Sequence, residues 1–134
     1  MAESQSNSTI RTQETPPFIN LLRQVNLGLR GLMEFGIILA FGYWGYQTGS
    51  TLIMRIVLAV AAPLLMFGFW GLVDFHNAGQ IAEPLRLIQE LIITGLATAA
   101  LFVAGALIFA WIMGLVSVVH HALVYPLGGT LLKS

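Results

Sequence analysis

Apolar residues run along this chain in long, nearly unbroken blocks, and polar residues gather in the short breaks between them. The first block extends from about Leu21 to Tyr46 and ends at Gln47-Thr48-Gly49-Ser50, a polar, glycine-containing turn. The second follows from Leu52 to Val73. Asp74, His76, Asn77, Gly79, Gln80 and Glu83 then form the one clearly hydrophilic internal loop, and Pro84 stands where a helix can begin. From Pro84 to Tyr125 the pattern stays helical. A helix rises ~1.5 Å per residue and the hydrocarbon core of a bilayer is ~30 Å thick, so about 20 apolar residues cross it. As one straight helix the last block would be about 60 Å long, so it must turn back, and Ala104-Gly105-Ala106 is the place. The pattern predicts an all-α polytopic membrane protein with four transmembrane helices at about 21–46, 52–73, 84–104 and 106–125.

An internal repeat supports the last turn, which carries no polar residue of its own. At an offset of 56 positions, the spacing from Arg30 to Arg86, the residues Leu29, Arg30, Glu34, Ile37, Gly49, Ile56 and Val60 fall on Leu85, Arg86, Glu90, Ile93, Gly105, Ile112 and Val116. Apolar matches mean little in so apolar a chain, but a shared Arg and a shared Glu carry weight. The bundle then reads as two successive helical hairpins entering from the same side, a parallel repeat about an axis along the membrane normal.

Composition agrees with a bilayer as solvent. Of 134 residues, 57% are hydrophobic and 9% charged, where an ordinary soluble domain is roughly a quarter charged. Six Lys and Arg balance six Asp and Glu, which leaves no basic footprint for nucleic acid. The absence of cysteine removes disulfides, thiolate metal sites and thiol nucleophiles. Residues 1–17 are rich in Ser, Thr, Gln, Asn and Glu and read as a disordered polar tail, with the bundle occupying 18–134. A secretory signal is a poor reading, because the apolar stretch comes late and carries Arg30 and Glu34.

Arg11, Arg23, Arg86 and Lys133 fall on one side of the four spans, with Arg30 nearest to it, and Arg55 alone lies near the other. The excess of basic residues places both termini in the cytoplasm. Tyr43, Trp44, Tyr46 and Trp111 then gather at the outer interface, with Trp70 and Tyr125 near the inner one.

The residues able to carry chemistry are few. Arg30 and Glu34 are four apart on the first helix, and Arg86 and Glu90 are four apart on the third, so each pair shares a face. A charge inside a bilayer costs at least ~2.5 kcal/mol and normally finds a partner in the bundle interior. These four residues are therefore the candidate intramembrane ion-pair or transport site. The bland reading is a lock between hairpins, with Arg30 crossing to Glu90 and Arg86 to Glu34. It ranks above transport, because a guanidinium beside each acid favours the ionised carboxylate and disfavours proton loading. His120 and His121 point roughly 100° apart on one helix, so they do not bind one metal from a single face. A metal or haem site would need His76 or the glutamates, and no ligand-spaced cluster appears; the histidines read as interfacial or hydrogen-bonding groups. Pro63 can kink the second helix. Gly45 with Gly49, Gly95 with Ala99 and Ala100 with Ala104 fit the small-xxx-small spacing of closely packed helices.

The run Leu27-Gly28-Leu29-Arg30-Gly31-Leu32-Met33-Glu34, then Gly42-Tyr43-Trp44-Gly45, Ala62-Pro63-Leu64-Leu65, Trp70-Gly71, Pro84-Leu85-Arg86-Leu87 and Glu90-Leu91 resembles the YrdB-like family of small bacterial membrane proteins, a domain of unknown function. The resemblance covers roughly residues 20 to 125 and implies a four-helix protein of the bacterial inner membrane, without implying a substrate. The family often continues after Trp-Gly into a basic, Ala-Pro-rich loop, whereas Asp74-Phe75-His76-Asn77-Ala78 is acidic here. The small multidrug transporters, also four helices with a glutamate in the first, are a weaker likeness because their acid lacks an arginine one turn away.

The function expected is therefore that of a non-enzymatic structural or partner-binding component of the plasma membrane. Its expected partners are the lipid bilayer and either a second copy or another membrane protein. The alternative is a small dimeric transporter or channel using Glu34 and Glu90. A membrane enzyme or redox subunit ranks third, since the chain offers no phosphate loop, metal motif or Ser-His-Asp constellation, and no cofactor is expected.

Overall fold

The computed structural model describes residues 16–129; most of the expected polar tail, with Arg11 and Lys133, lies outside the described residues. Four α-helices follow one another: α1 (Pro17–Thr48), α2 (Leu52–Leu72), α3 (Ala82–Val103) and α4 (Leu107–Val124), with a short 3-10 segment, His76–Ile81, between α2 and α3. All four are long and apolar enough to cross a membrane.

Helix α1 begins four residues before the apolar block does. Pro17 suits the first turn of a helix, where no backbone N–H is needed. The polar residues that follow are held by tertiary contacts: Arg23 Nε donates to the Leu127 carbonyl at 3.2 Å, and Asn26 meets His120 at 2.9 Å. Helix α3 likewise starts at Ala82 rather than Pro84, and Pro84 in its first turn interrupts no hydrogen bond. Helix α2 runs through Pro63 as a continuous helix.

The two helical turns are built differently. At the first, Thr51 caps α2 by accepting from Met54 N at 3.2 Å, and Arg55 Nε donates to the Gly49 carbonyl at 3.0 Å. Gly49 has ordinary extended dihedrals. What excludes a side chain there is space, since a Cβ would lie 2.5 Å from Arg55 N. At the second, Gly105 takes φ 79°, Ala106 N donates to the Leu101 carbonyl at 2.9 Å and Gly105 N to Phe102 at 3.1 Å. This is a Schellman motif, in which the left-handed residue after the helix favours glycine. The glycines that coincide in the offset of 56 thus meet different needs.

Helix α1 is central and packs on α2, α3 and α4; α3 packs on α4, while among the described residues the backbones of α2 and α4 do not approach closely. The core joins Met33, Ile37, Ala40 and Phe41 of α1 to Ile93, Ala97, Ala100 and Leu101 of α3, with Ala110 and Met113 of α4. Spacings of three and four put each set on one helical face. Gly45 lets α1 approach α2 closely, because a Cβ there would run into the Leu58 carbonyl. Trp70 differs from an interfacial anchor: it is buried within the bundle. Trp111, by contrast, is exposed and meets Phe102 edge-on.

Candidate functional site

Two arginines, two glutamates and two histidines of α1, α3 and α4 converge inside the bundle, in the half away from the turns at Gly49 and Gly105. Arg30 Nε contacts Glu34 Oε1 at 3.1 Å, and Arg86 Nε contacts Glu90 Oε1 at the same distance, so both i,i+4 pairs form. Arg30 also reaches across from α1 to α3, with Nη2 3.7 Å from Glu90 Oε1. Arg86 does not make the reciprocal crossing to Glu34. Its Nη1 donates instead to Gln89 Oε1 at 2.9 Å and to the Trp70 carbonyl at 3.4 Å, and its guanidinium lies over the Trp70 ring. Gln89 Nε2 donates to the Phe69 carbonyl at 3.5 Å. The last turn of α2 leaves carbonyls without helical partners, and a cation there also meets the negative end of the helix dipole. Arg86 and Gln89 serve that end.

The two glutamates are not equivalent. The side chain of Glu90 is 1% exposed and that of Glu34 38%. Position alone does not explain this, because the residues correspond at the offset of 56. Their surroundings do. Gln89, Thr94, Ser117, His120 and His121 of the second hairpin fall at that offset on Met33, Ile38, Ala61, Leu64 and Leu65 of the first. Polar partners therefore surround Glu90, and apolar residues stand where Glu34 would need them.

Both histidines face the interior, His120 1% and His121 8% exposed, so of the two readings, interfacial or hydrogen-bonding near a helix end, the second is the one that holds. They turn to different neighbours, as a 100° step predicts. His120 Nδ1 lies 2.9 Å from Asn26 Oδ1 of α1. His121 Nε2 lies 3.5 Å from Glu90 Oε2 of α3, while its Nδ1 is 2.7 Å from the Ser117 carbonyl. Ser117 Oγ donates to Thr94 Oγ1 at 3.0 Å, and Thr94 Oγ1 donates to the Glu90 carbonyl at 2.9 Å. Helix α3 has 22 residues, and Glu90 stands about 12 Å along it from the first residue at a rise of 1.5 Å per residue, so the carboxylate lies closer to the middle of the helix than to its end.

Asn26, Gln89, Thr94 and Ser117 are members that a survey of ionisable residues alone misses. A signal was present in α4, where Met113, Ser117, His120 or His121 and Val124 recur every three or four residues. Such a stripe marks one buried face, with polar residues inside it. Among the described residues no group of three metal-ligating side chains comes together, and the His76 side chain is not described.

A family model covers residues 28–118, two thirds of the chain, and includes both Arg–Glu pairs. The chain belongs to the DUF2568 family. That family is described as a protein of unknown function. The matched stretch takes in Ser117 and ends just before His120 and His121. No curated protein and no solved structure matches the chain.

Proposed function

We propose that the chain is a multi-pass protein of the bacterial plasma membrane, both termini cytoplasmic, acting as a non-enzymatic structural or partner-binding component. The observation that carries this reading is the crossing of Arg30 to Glu90, which ties the first hairpin to the second through a buried carboxylate. The charges of the cluster are paired with one another. The resemblance to the YrdB-like family supports the location, and the segments that carry it fall almost wholly within residues 28–118. Membrane burial is supported by the outward residues, among them Leu65, Val103 and Ile108, each more than two thirds exposed. Water does not tolerate apolar faces of that extent on every helix.

Ser117, His121 and Glu90 stand in sequence like a nucleophile, base and acid, but their protons run the wrong way. His121 Nδ1 faces a backbone carbonyl, which only accepts, so that nitrogen carries hydrogen and is not free to take the Ser117 proton. This supports a role without catalysis.

Two measurements test the proposal. Reporter fusions active on only one side of the membrane should score cytoplasmic at both termini and periplasmic at the turns near residues 50 and 105; termini on opposite sides would refute four spans. Purified protein in proteoliposomes should show no ion or proton flux. A flux lost in Glu34→Gln or Glu90→Gln, with normal insertion, would instead make the chain a small transporter or channel.

A further inference from the structure

The contact between Glu90 and His121 assigns a function to a pair of atoms that the clasp leaves unused. Glu90 Oε1 receives both arginines, Arg86 at 3.1 Å and Arg30 at 3.7 Å, whereas Glu90 Oε2 has no hydrogen-bond partner. His121 Nε2 is also buried without a hydrogen bond, and it is the atom 3.5 Å from that oxygen.

The tautomer of His121 follows from its other nitrogen. Nδ1 lies 2.7 Å from the Ser117 carbonyl oxygen, an acceptor with no hydrogen to give, and 3.4 Å from Ser117 Oγ, whose hydrogen goes to Thr94, so Nδ1 is the donor. In a neutral imidazole Nε2 is then a bare lone pair. An ionised Glu90 opposite a neutral His121 would therefore set two acceptors against each other, in a place where both are hidden from water. Leaving one buried polar atom unsatisfied costs about 1 to 3 kcal/mol, and here there would be two. A single proton between them removes both defects.

We infer that Glu90 and His121 form a buried proton-binding site between α3 and α4, which holds one proton at neutral pH on the line from Oε2 to Nε2. The proton resides on the imidazole as an ion pair or on the carboxyl as a neutral pair; in either form the pair carries one proton more than free carboxylate and neutral imidazole. Release sends that proton to solvent and lowers the charge of the cluster by one. The charged and titratable groups around the site include Arg30 and Glu34 from α1, Arg86 from α3 and His120 from α4, with Tyr125 beyond α4 within electrostatic reach of both Glu90 and Glu83, the acid two turns earlier on α3. Helix α2 contributes the uncharged Trp70. The bound proton adds one positive charge to the cluster. The protonation state of this site therefore changes with pH, a property beyond the clasp itself.

The test is nitrogen NMR of histidine-labelled protein in lipid nanodiscs, recorded across pH, with infrared spectra of the carboxyl region. At neutral pH the inference predicts one of two outcomes. Either His121 has both ring nitrogens protonated, or it is the Nδ1–H tautomer alongside a protonated carboxyl band that disappears in Glu90→Gln. Raising the pH should then remove one proton from the pair. A neutral His121 beside an ionised Glu90 at neutral pH would overturn the inference, as would an Nε2–H tautomer. The wild-type spectra decide the matter even if Glu90→Gln fails to fold, because an ionised carboxylate has its own bands.

Discussion

Glu90→Gln is expected to lower the stability of the detergent-solubilised protein by about 3 kcal/mol or more, while Glu34→Gln costs less than about 1 kcal/mol. The two substitutions make the same chemical change at positions related by the offset of 56, so the difference isolates the surroundings. Glu90 is buried and meets Arg30, Arg86 and His121, and its loss leaves Arg86 without its carboxylate inside the bundle. Glu34 meets Arg30 alone and is partly exposed. Unfolding in a graded mixture of mild and denaturing detergent measures both. Equal losses would mean that the asymmetry of the cluster has no energetic weight.

The second large effect belongs to the contact of α1 with α2. Gly45→Ala is expected to destabilise by about 1 to 3 kcal/mol, the range for overpacking a tight contact, because the new Cβ meets the backbone carbonyl of Leu58 and backbone yields little. Helix propensity alone predicts the opposite sign, since alanine favours a helix over glycine by about 1 kcal/mol. Gly31→Ala supplies the control on the same helix: nothing lies within 4 Å of its Cβ position, so it should be neutral or slightly stabilising. If both variants behave as Gly31→Ala is expected to, the close approach of α1 and α2 is wrong.

Much of this architecture is legible in the sequence because the signals are long. A block from Leu52 to Val73 without a charge other than Arg55 has few alternatives to a helix. The turn at Ala104-Gly105-Ala106 was readable from length, although its reason, a left-handed glycine in a Schellman motif, is a matter of local backbone geometry. Of the site, the i,i+4 pairs follow from spacing, and the crossing of Arg30 to Glu90 follows from the fact that charges in a bundle seek partners. The symmetric partner crossing, Arg86 to Glu34, does not form. Arg86 is drawn instead to Gln89 and to the exposed carbonyl of Trp70 at the end of α2, and the end of α2 beside α3 is a tertiary fact. The partners of the histidines are not legible for a related cause. Periodicity puts Ser117 and His121 on one face, but only packing decides that this face meets Glu90.

The central claim is that a buried Arg–Glu contact joins the two hairpins, and a double-mutant cycle on Arg30 and Glu90 tests it most directly. Arg30→Gln, Glu90→Gln and the double variant are unfolded in detergent beside the wild type, with Arg30→Gln and Glu34→Gln as the comparison cycle within α1. The account predicts a coupling between Arg30 and Glu90 of about 1 kcal/mol or more, within the range found for residues in contact. Losses that simply add, with no coupling across the hairpins, would contradict it.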